Sequence, residues 1–268
     1  MKFILIADLH LTVPGATVWG LDPLDRFDKC LADIERHHAD ASFCVIAGDL
    51  SDIAEPASYQ GLKSRLARFP LKTFLLIGNH DDREVFRSSF GRAYCDDNGF
   101  IQSSHTVDDI QCIFLDTFKG GNTSAGIYCE KRRRWLSRQL ETTRAGQIYL
   151  FMHHPPFDIG HSLMDLIKLE DPESFHQTIR DHNIRHLFFG HAHRPLSGMW
   201  RGIPFAAPPS LNHQVPLVGG SVPTVYSIEP AMYAVVVAAG DRTIVHLDAF
   251  LDRKPAAMSI QDERGNWY

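Results

Sequence analysis

The sequence predicts a layered α/β fold whose functional site lies along the ends of its inner strands. Three observations lead there. Short apolar runs rich in branched residues recur, each suited to a strand buried on both faces. Amphipathic helical patterns separate them, as in successive βα units. Run after run then ends in polar residues that are hard to bury, where open α/β sheets place their ligands.

Residues 3–7 (FILIA) form the first such run, ending in Asp8-Leu9-His10. If strand geometry persists, Asp8 and His10 share a face, because side chains alternate along a strand. A loop over 12–25 follows, long enough to line a site. An amphipathic helix is expected over 26–36, on Phe27, Cys30, Leu31 and Ile34. The second run, FCVIA at 43–47, ends in Gly48-Asp49, and a helix over 59–69 presents Leu62, Leu66 and Phe69. The third, TFLLI at 73–77, ends in Gly78-Asn79-His80-Asp81. Gly48 and Gly78 each precede a functional residue, as a chain leaving a strand through a tight turn requires.

A short helix over 85–90, a strand over 110–116 and a helix over 130–141 come next. The Lys131-Arg132-Arg133-Arg134 run reads as a solvated face, since Trp135, Leu136 and Leu140 take the buried one. A strand over 147–152 ends in His153-His154-Pro155-Pro156. After a helix over 172–182, a strand over 186–189 ends in Gly190-His191-Ala192-His193. Residues 233–238, a turn at Gly240-Asp241 and residues 243–250 suggest a hairpin. The polar tail beyond Arg253 is expected to be mobile or to reach a partner subunit. One domain over 1–268 is expected, with 204–268 a C-terminal loop and hairpin region. Its apolar, Pro- and Gly-rich residues 204–230 could form the contact of a homo-oligomer.

The 268 residues are 44% hydrophobic and 22% charged, ordinary for a soluble protein with a sizeable core. A net charge of −5 argues against general nucleic-acid or anionic-membrane binding. Five scattered cysteines without a Cys-x-x-Cys pair suggest a reducing compartment. Cys44 and Cys112 suit small core positions. The N-terminus enters the first strand directly, leaving no room for a cleavable leader, and no run approaches the ~20 apolar residues of a membrane span. A cytoplasmic location is expected. The Asn122-Thr123-Ser124 glycosylation pattern is then chance.

Five strand ends thus carry Asp8/His10, Asp49, Asn79/His80, His153 and His191/His193. Imidazole and carboxylate donors suit Mn, Fe, Zn or Co, and the lack of thiolates argues against an iron–sulfur cluster. The candidates are too many for one ion and about the right number for two. Asp49, on a central strand, is the natural bridge. His37, His38, His105, His161 and His176 fit no pattern and read as surface or satisfied residues.

The ordered series Asp8-x-His10, Gly48-Asp49, Gly78-Asn79-His80-Asp81, His153 and Gly190-His191-x-His193 resembles the calcineurin-like metallophosphoesterases over roughly residues 1–195. Gly78-Asn79-His80-Asp81-Asp82, His153-His154-Pro155-Pro156 and Asn212-His213-Gln214-Val215-Pro216 look most like the bacterial class III cyclic nucleotide phosphodiesterases and related glycerophosphodiesterases. The resemblance implies an α/β, four-layer αββα sandwich of two mixed sheets flanked by helices. It implies one metal held by Asp8, His10, Asp49 and His193, and a second by Asp49, Asn79, His153 and His191. His80 would be a non-ligand histidine approaching the scissile phosphate, with Asn79 and His80 touching substrate, and His213 a histidine beside the metal centre.

The expected activity is hydrolysis of small phosphodiesters, cyclic nucleotides or glycerophosphodiesters. Two divalent metals neutralise phosphate oxygens and lower the pKa of a bridging water, whose hydroxide attacks phosphorus in line. His80 is the candidate to protonate the leaving oxygen. A monoester phosphatase or nuclease on the same metals is the competing enzyme reading, weakened for the nuclease by the negative charge. A catalytically silent metal-binding module is a third, disfavoured because every ligand position is filled. Substrate selectivity is expected in the loops 12–25, 51–59, 158–169 and 211–225.

Overall fold

A computed structural model describes residues 1–217, 225–253 and 264. The strands are β1 (Lys2–Ile6), β2 (Phe43–Ala47), β3 (Thr73–Leu76), β4 (Ser103–Val107), β5 (Ile110–Phe114), β6 (Gly126–Ile127), β7 (Gln147–Phe151), β8 (Leu169–Glu170), β9 (Ile184–Phe188), β10 (Leu196–Trp200), β11 (Ile203–Ala207), β12 (Tyr233–Ala239) and β13 (Arg242–Asp248). The helices are α1 (Pro23–His38), α2 (Pro56–Leu66), α3 (Arg83–Phe90), α4 (Glu130–Thr142) and α5 (Pro172–Ile179).

The strands form two mixed sheets. The first has the order β13-β12-β1-β2-β3 and the second β10-β11-β9-β7-β5-β4, with β6 and β8 pairing separately. The pairs β1–β2, β2–β3, β5–β7, β7–β9 and β9–β11 run parallel, and β1–β12, β12–β13, β10–β11 and β4–β5 antiparallel.

Alternation along the inner strands fixes the layers. On β1, Phe3 and Leu5 face a core shared with Phe114, Tyr149, Phe151 and Phe188 of the second sheet. Ile4 and Ile6 face Phe27, Cys30 and Ile34 of α1 and Tyr59 and Leu62 of α2. On the far side, Ile148 and Leu150 of β7 pack against Trp135, Leu136 and Leu140 of α4 and Phe175 of α5. Helices, sheet, sheet, helices: the expected four-layer αββα sandwich is observed. Rings dominate the central layer, with Phe3 stacked on Phe43 at 5.0 Å and Phe114 on Phe151 at 5.0 Å. Each such fully buried ring contributes about 1.5–3 kcal/mol.

Helix boundaries depart from the periodic pattern where caps decide them. The Asp22 carboxylate accepts hydrogen bonds from Leu24 N and Asp25 N (2.9 and 3.1 Å), and Pro23 opens α1 three residues before the expected start. Pro56 likewise opens α2 early, and α2 ends at Leu66 rather than continuing to 69. The helix expected over 172–182 stops at Ile179.

Two expectations need correction. β1 ends at Ile6, so strand alternation does not reach Asp8 and His10; both adopt left-handed backbone (φ 55° and 48°) and converge through a turn instead. Nor is the whole 131–134 run solvated. Arg132 is buried and donates to the Asp116 carboxylate and carbonyl (3.2 and 2.6 Å), because Asp116 leaves β5 beneath α4. The tail beyond Arg253, apart from Arg264, and residues 218–224 of the expected selectivity loop and subunit contact lie outside the described residues. No described helix is long and apolar enough to cross a membrane.

Candidate metal centre

The site grows from the turns that follow β1, β2, β3, β7 and β9. Asp8, His10, Asp49, His191 and His193 all carry positive φ, between 48° and 66°. Such backbone is rare outside glycine, and asparagine, aspartate and histidine are the side chains that tolerate it best. Strain of this kind persists where surrounding structure fixes it. Here backbone bonds do so: Asp8 N donates to Gly48 O (3.2 Å), His10 N to Asp49 O (2.9 Å), Gly190 N to His153 O (3.1 Å) and Val215 N to His193 O (3.2 Å).

A Cβ at either of the two glycines before the polar residues would overlap the His153 imidazole, and Gly48 has a second role. Gly48 has φ 93° and needs glycine for the turn itself. Gly78 does not; a Cβ there would overlap Asp49 Oδ1 and the His153 imidazole, so its role is room.

Oxygen acceptors orient the rings. His10 Nδ1 donates to Asp52 Oδ1 (3.0 Å), His153 Nδ1 to the Ala47 carbonyl (2.7 Å) and His193 Nδ1 to the His213 carbonyl (2.9 Å). Each neutral ring therefore turns a bare Nε2 inward. The Nε2 atoms of His10 and His193 stand 3.1 Å apart, lone pair towards lone pair, which only a proton or a cation can reconcile. Asp8 Oδ2 and His191 Nε2 are buried without a hydrogen-bond partner in the protein. Donor atoms of Asp8, His10, Asp49 and His193 all lie within 4.8 Å of one another. The residues fit a cation.

A second cluster adjoins the first through Asp49. Its Oδ2 is 3.7 Å from His10 Nε2 and 3.4 Å from His153 Nε2. His153 Nε2 is also 3.2 Å from Asn79 Oδ1, and the His153 and His191 rings are 5.1 Å apart. His154 joins this group in space, but its ring nitrogens are spoken for by Thr117 Oγ1 (2.7 Å) and the Ser124 carbonyl (3.1 Å). It holds a loop.

His80 and His213 sit at the cleft side of these clusters. His80 Nδ1 donates to the Asp52 carbonyl (2.7 Å) and its backbone N–H donates to Asp49 Oδ1 (2.9 Å). The His213 ring lies 4.8 Å from His10 and 4.6 Å from His193.

Protonation follows burial and charge. Burial, reinforced by Asp49, pushes Asp8 up to about 7. Burial also acts to raise Asp49, yet His153, His80 and His10 hold it well below the usual carboxylate range. Burial would lower His153, but Asp49 overrides it and raises the imidazole to about 9. Burial and His153 press His191 down to about 3. Without a cation, carboxylates and imidazoles divide protons unevenly; a cation at the same atoms takes their place.

Two residues with structural weight here were not singled out by the pattern. Asp81 accepts from Leu50 N, Ser51 N, Gly78 N and the Tyr59 hydroxyl (3.1, 3.1, 2.8 and 2.8 Å), tying the loops of Asp49 and Asn79 together. It was visible only as the last residue of Gly78-Asn79-His80-Asp81. Asp52, which orients His10 and His80, follows no periodicity or motif.

A family profile described as calcineurin-like phosphoesterase matches residues 1–195. A probable cyclic nucleotide phosphodiesterase of Rhodopseudomonas palustris is 38% identical over 257 residues, covering 94% of this chain and 93% of its own. A glycerophosphodiester phosphodiesterase of Enterobacter lignolyticus is 27% identical, covering 69% of this chain and 68% of its own. Among solved structures, a dimetal phosphatase from Danio rerio superposes with a TM-score of 0.74 at 13% identity, over 92% of this chain and 95% of that one, which speaks to the fold. The chain belongs to the calcineurin-like phosphoesterases, a family of hydrolases.

Proposed function

We propose that this calcineurin-like phosphoesterase hydrolyses small phosphodiesters, cyclic nucleotides foremost, at a centre of two divalent cations. One cation would be held by Asp8, His10, Asp49 and His193, the other by Asp49, Asn79, His153 and His191. The observation that carries this reading is Asp49 Oδ2, which faces His10 Nε2 at 3.7 Å and His153 Nε2 at 3.4 Å and so can serve both clusters. Mn, Fe, Zn and Co all accept such donors. When bound, the cations would supply Lewis acidity that neutralises phosphate oxygens and lowers the pKa of a water between them.

The remaining work falls to the chain's own side chains. Asn79 and His80 lie at the cleft where a phosphate would approach. With Nδ1–H committed to the Asp52 carbonyl, His80 acts from its imidazolium form, which Asp49 favours against burial, and gives the Nε2 proton to the leaving oxygen, ending as the neutral ring. General-acid assistance of this kind is worth ~10²–10⁴-fold. His213, against His10 and His193, contacts the phosphate from the other side.

The relative that spans nearly the whole chain is named for cyclic nucleotides, which supports putting that class first. The test is turnover by Mn²⁺-reconstituted protein of 3′,5′-cyclic AMP, 2′,3′-cyclic AMP, a glycerophosphodiester and a phosphomonoester, with Asp49→Ala as control. Asp49-dependent cleavage of a diester is expected, together with two metal ions per chain and fewer than one in the variant. Activity confined to the monoester would overturn the diesterase reading.

A further inference from the structure

The centre opens into a cleft of about 480 Å³, and the far part of that cleft is not phosphate chemistry. One wall is aromatic: Trp19 and Tyr226 stack at 4.7 Å with their planes 18° apart. Tyr226 meets the His213 ring edge-on at 5.1 Å, and Trp19 meets it at 6.3 Å. The His213 imidazole therefore borders the aromatic pair on one side and His10 and His193 on the other. Leu163, Met164 and Ile167 line the cleft as well, giving an apolar shelf.

The way Trp19 is held is costly. Val18 and Leu21 exchange both backbone hydrogen bonds (2.9 and 3.0 Å) across a two-residue turn. Trp19 (φ 53°) and Gly20 (φ 79°) occupy its centre, both left-handed, as in a type I′ turn. Asn, Asp or Gly suits the first of these positions, not a bulky ring. The indole is 61% exposed, so core packing does not repay the strain. A strained backbone that displays a large flat ring in a cleft is an observation from which a binding role follows.

We infer that the Trp19–Tyr226 wall seats the nucleobase of a nucleotide diester whose phosphate lies at the Asp49 centre. This rests on the phosphodiesterase reading above and narrows it from small diesters to those carrying a flat, π-bearing group. The two rings stack on each other, so a planar group can add only to an outer face of the pair, unlike a quaternary ammonium boxed in a cage. Stacking is tolerant of base identity because every base has a π-face, so adenine and guanine should be accepted alike.

The experiment compares Trp19→Ala and Trp19→Phe with the parent protein on 3′,5′-cyclic AMP, 3′,5′-cyclic GMP, glycerophosphoethanolamine and glycerophosphocholine. Metal content and melting temperature are recorded for each. Trp19→Ala should reduce kcat/KM for both cyclic nucleotides at least about tenfold more than for glycerophosphoethanolamine, mostly through KM. Trp19→Phe should restore most of that ratio. Adenosine, titrated against Asp49→Ala protein, should bind at least about fivefold more weakly when Trp19→Ala is added. Equal losses on all four substrates, or a selective loss on glycerophosphocholine, would overturn the inference while leaving the diesterase intact. If no diester is turned over by the parent protein, the functional reading fails by itself, and the adenosine titration still decides whether the wall binds a base.

Discussion

Asp81 lies one step behind the candidate ligands and is a sharp test of how the centre is supported. It is a buried carboxylate that burial and Asp49 raise to about 6, and it accepts four hydrogen bonds from two loops and Tyr59. Asp81→Ala leaves three buried N–H groups without an acceptor, each costing ~1–3 kcal/mol. We expect chemical denaturation to show a loss of at least ~3 kcal/mol, and metal affinity to fall tenfold or more, as for other supporting residues. Gly78→Ala isolates crowding from backbone strain, since φ there is compatible with alanine. Its circular dichroism should match the parent while metal content drops below one ion per chain. Eight of the candidate site residues are proposed because polar side chains terminate apolar runs repeatedly and in order, whereas His213 ends no such run and rests on the resemblance alone. That five of them sit in left-handed backbone was not legible, because φ depends on loop-to-loop hydrogen bonds that no local pattern announces.

At the scale of elements, β9 carries a group whose titration the fold resists. His186 stacks on Phe188 at 4.3 Å, and burial together with Arg185 lowers its imidazole to about 4. The unfolded chain protonates this histidine near 6.5 and the native state only near 4, so between those values the unfolded state binds more protons. Stability therefore falls as pH drops from 6.5 to 4, by up to ~3 kcal/mol from this residue. His186→Phe should flatten that part of the stability profile, measured by urea denaturation at several pH values. The strands the sequence concealed share a reason. β4 is an edge strand of polar composition (SSHTV), β6 and β8 are two residues each, and β10–β11 mixes Gly and Pro with scattered apolar residues. None offers a continuous branched apolar run: edges such as β4 and β10 need none, and β11, which lies between β10 and β9, is interrupted by Pro204.

At the scale of the molecule, the four layers follow from runs such as FILIA and FCVIA, in which alternate residues feed different cores. The sheet order did not follow from them, because β12 reaches β1 from far along the chain. The candidate metal centre joins turns from both sheets, so ligation there should clamp one sheet to the other. Stripping the ions with a chelator should lower the melting temperature by about 5 °C or more, given that a ligand at a hundred times its Kd contributes ~2.7 kcal/mol. Re-addition of Mn²⁺ should reverse the shift. The position of β1 has a further consequence, for the order of events during synthesis. Lys2 pairs with Val237 and Leu5 with Ala234, so β1 waits for a strand made far later in the chain. Until residues 233–239 leave the ribosome, Asp8 and His10 hang from a strand whose outer edge is unpaired. All the candidate ligands, from Asp8 to His193, precede that strand in the chain, so the residues of the site are present before the pairing that holds the first of its turns is made.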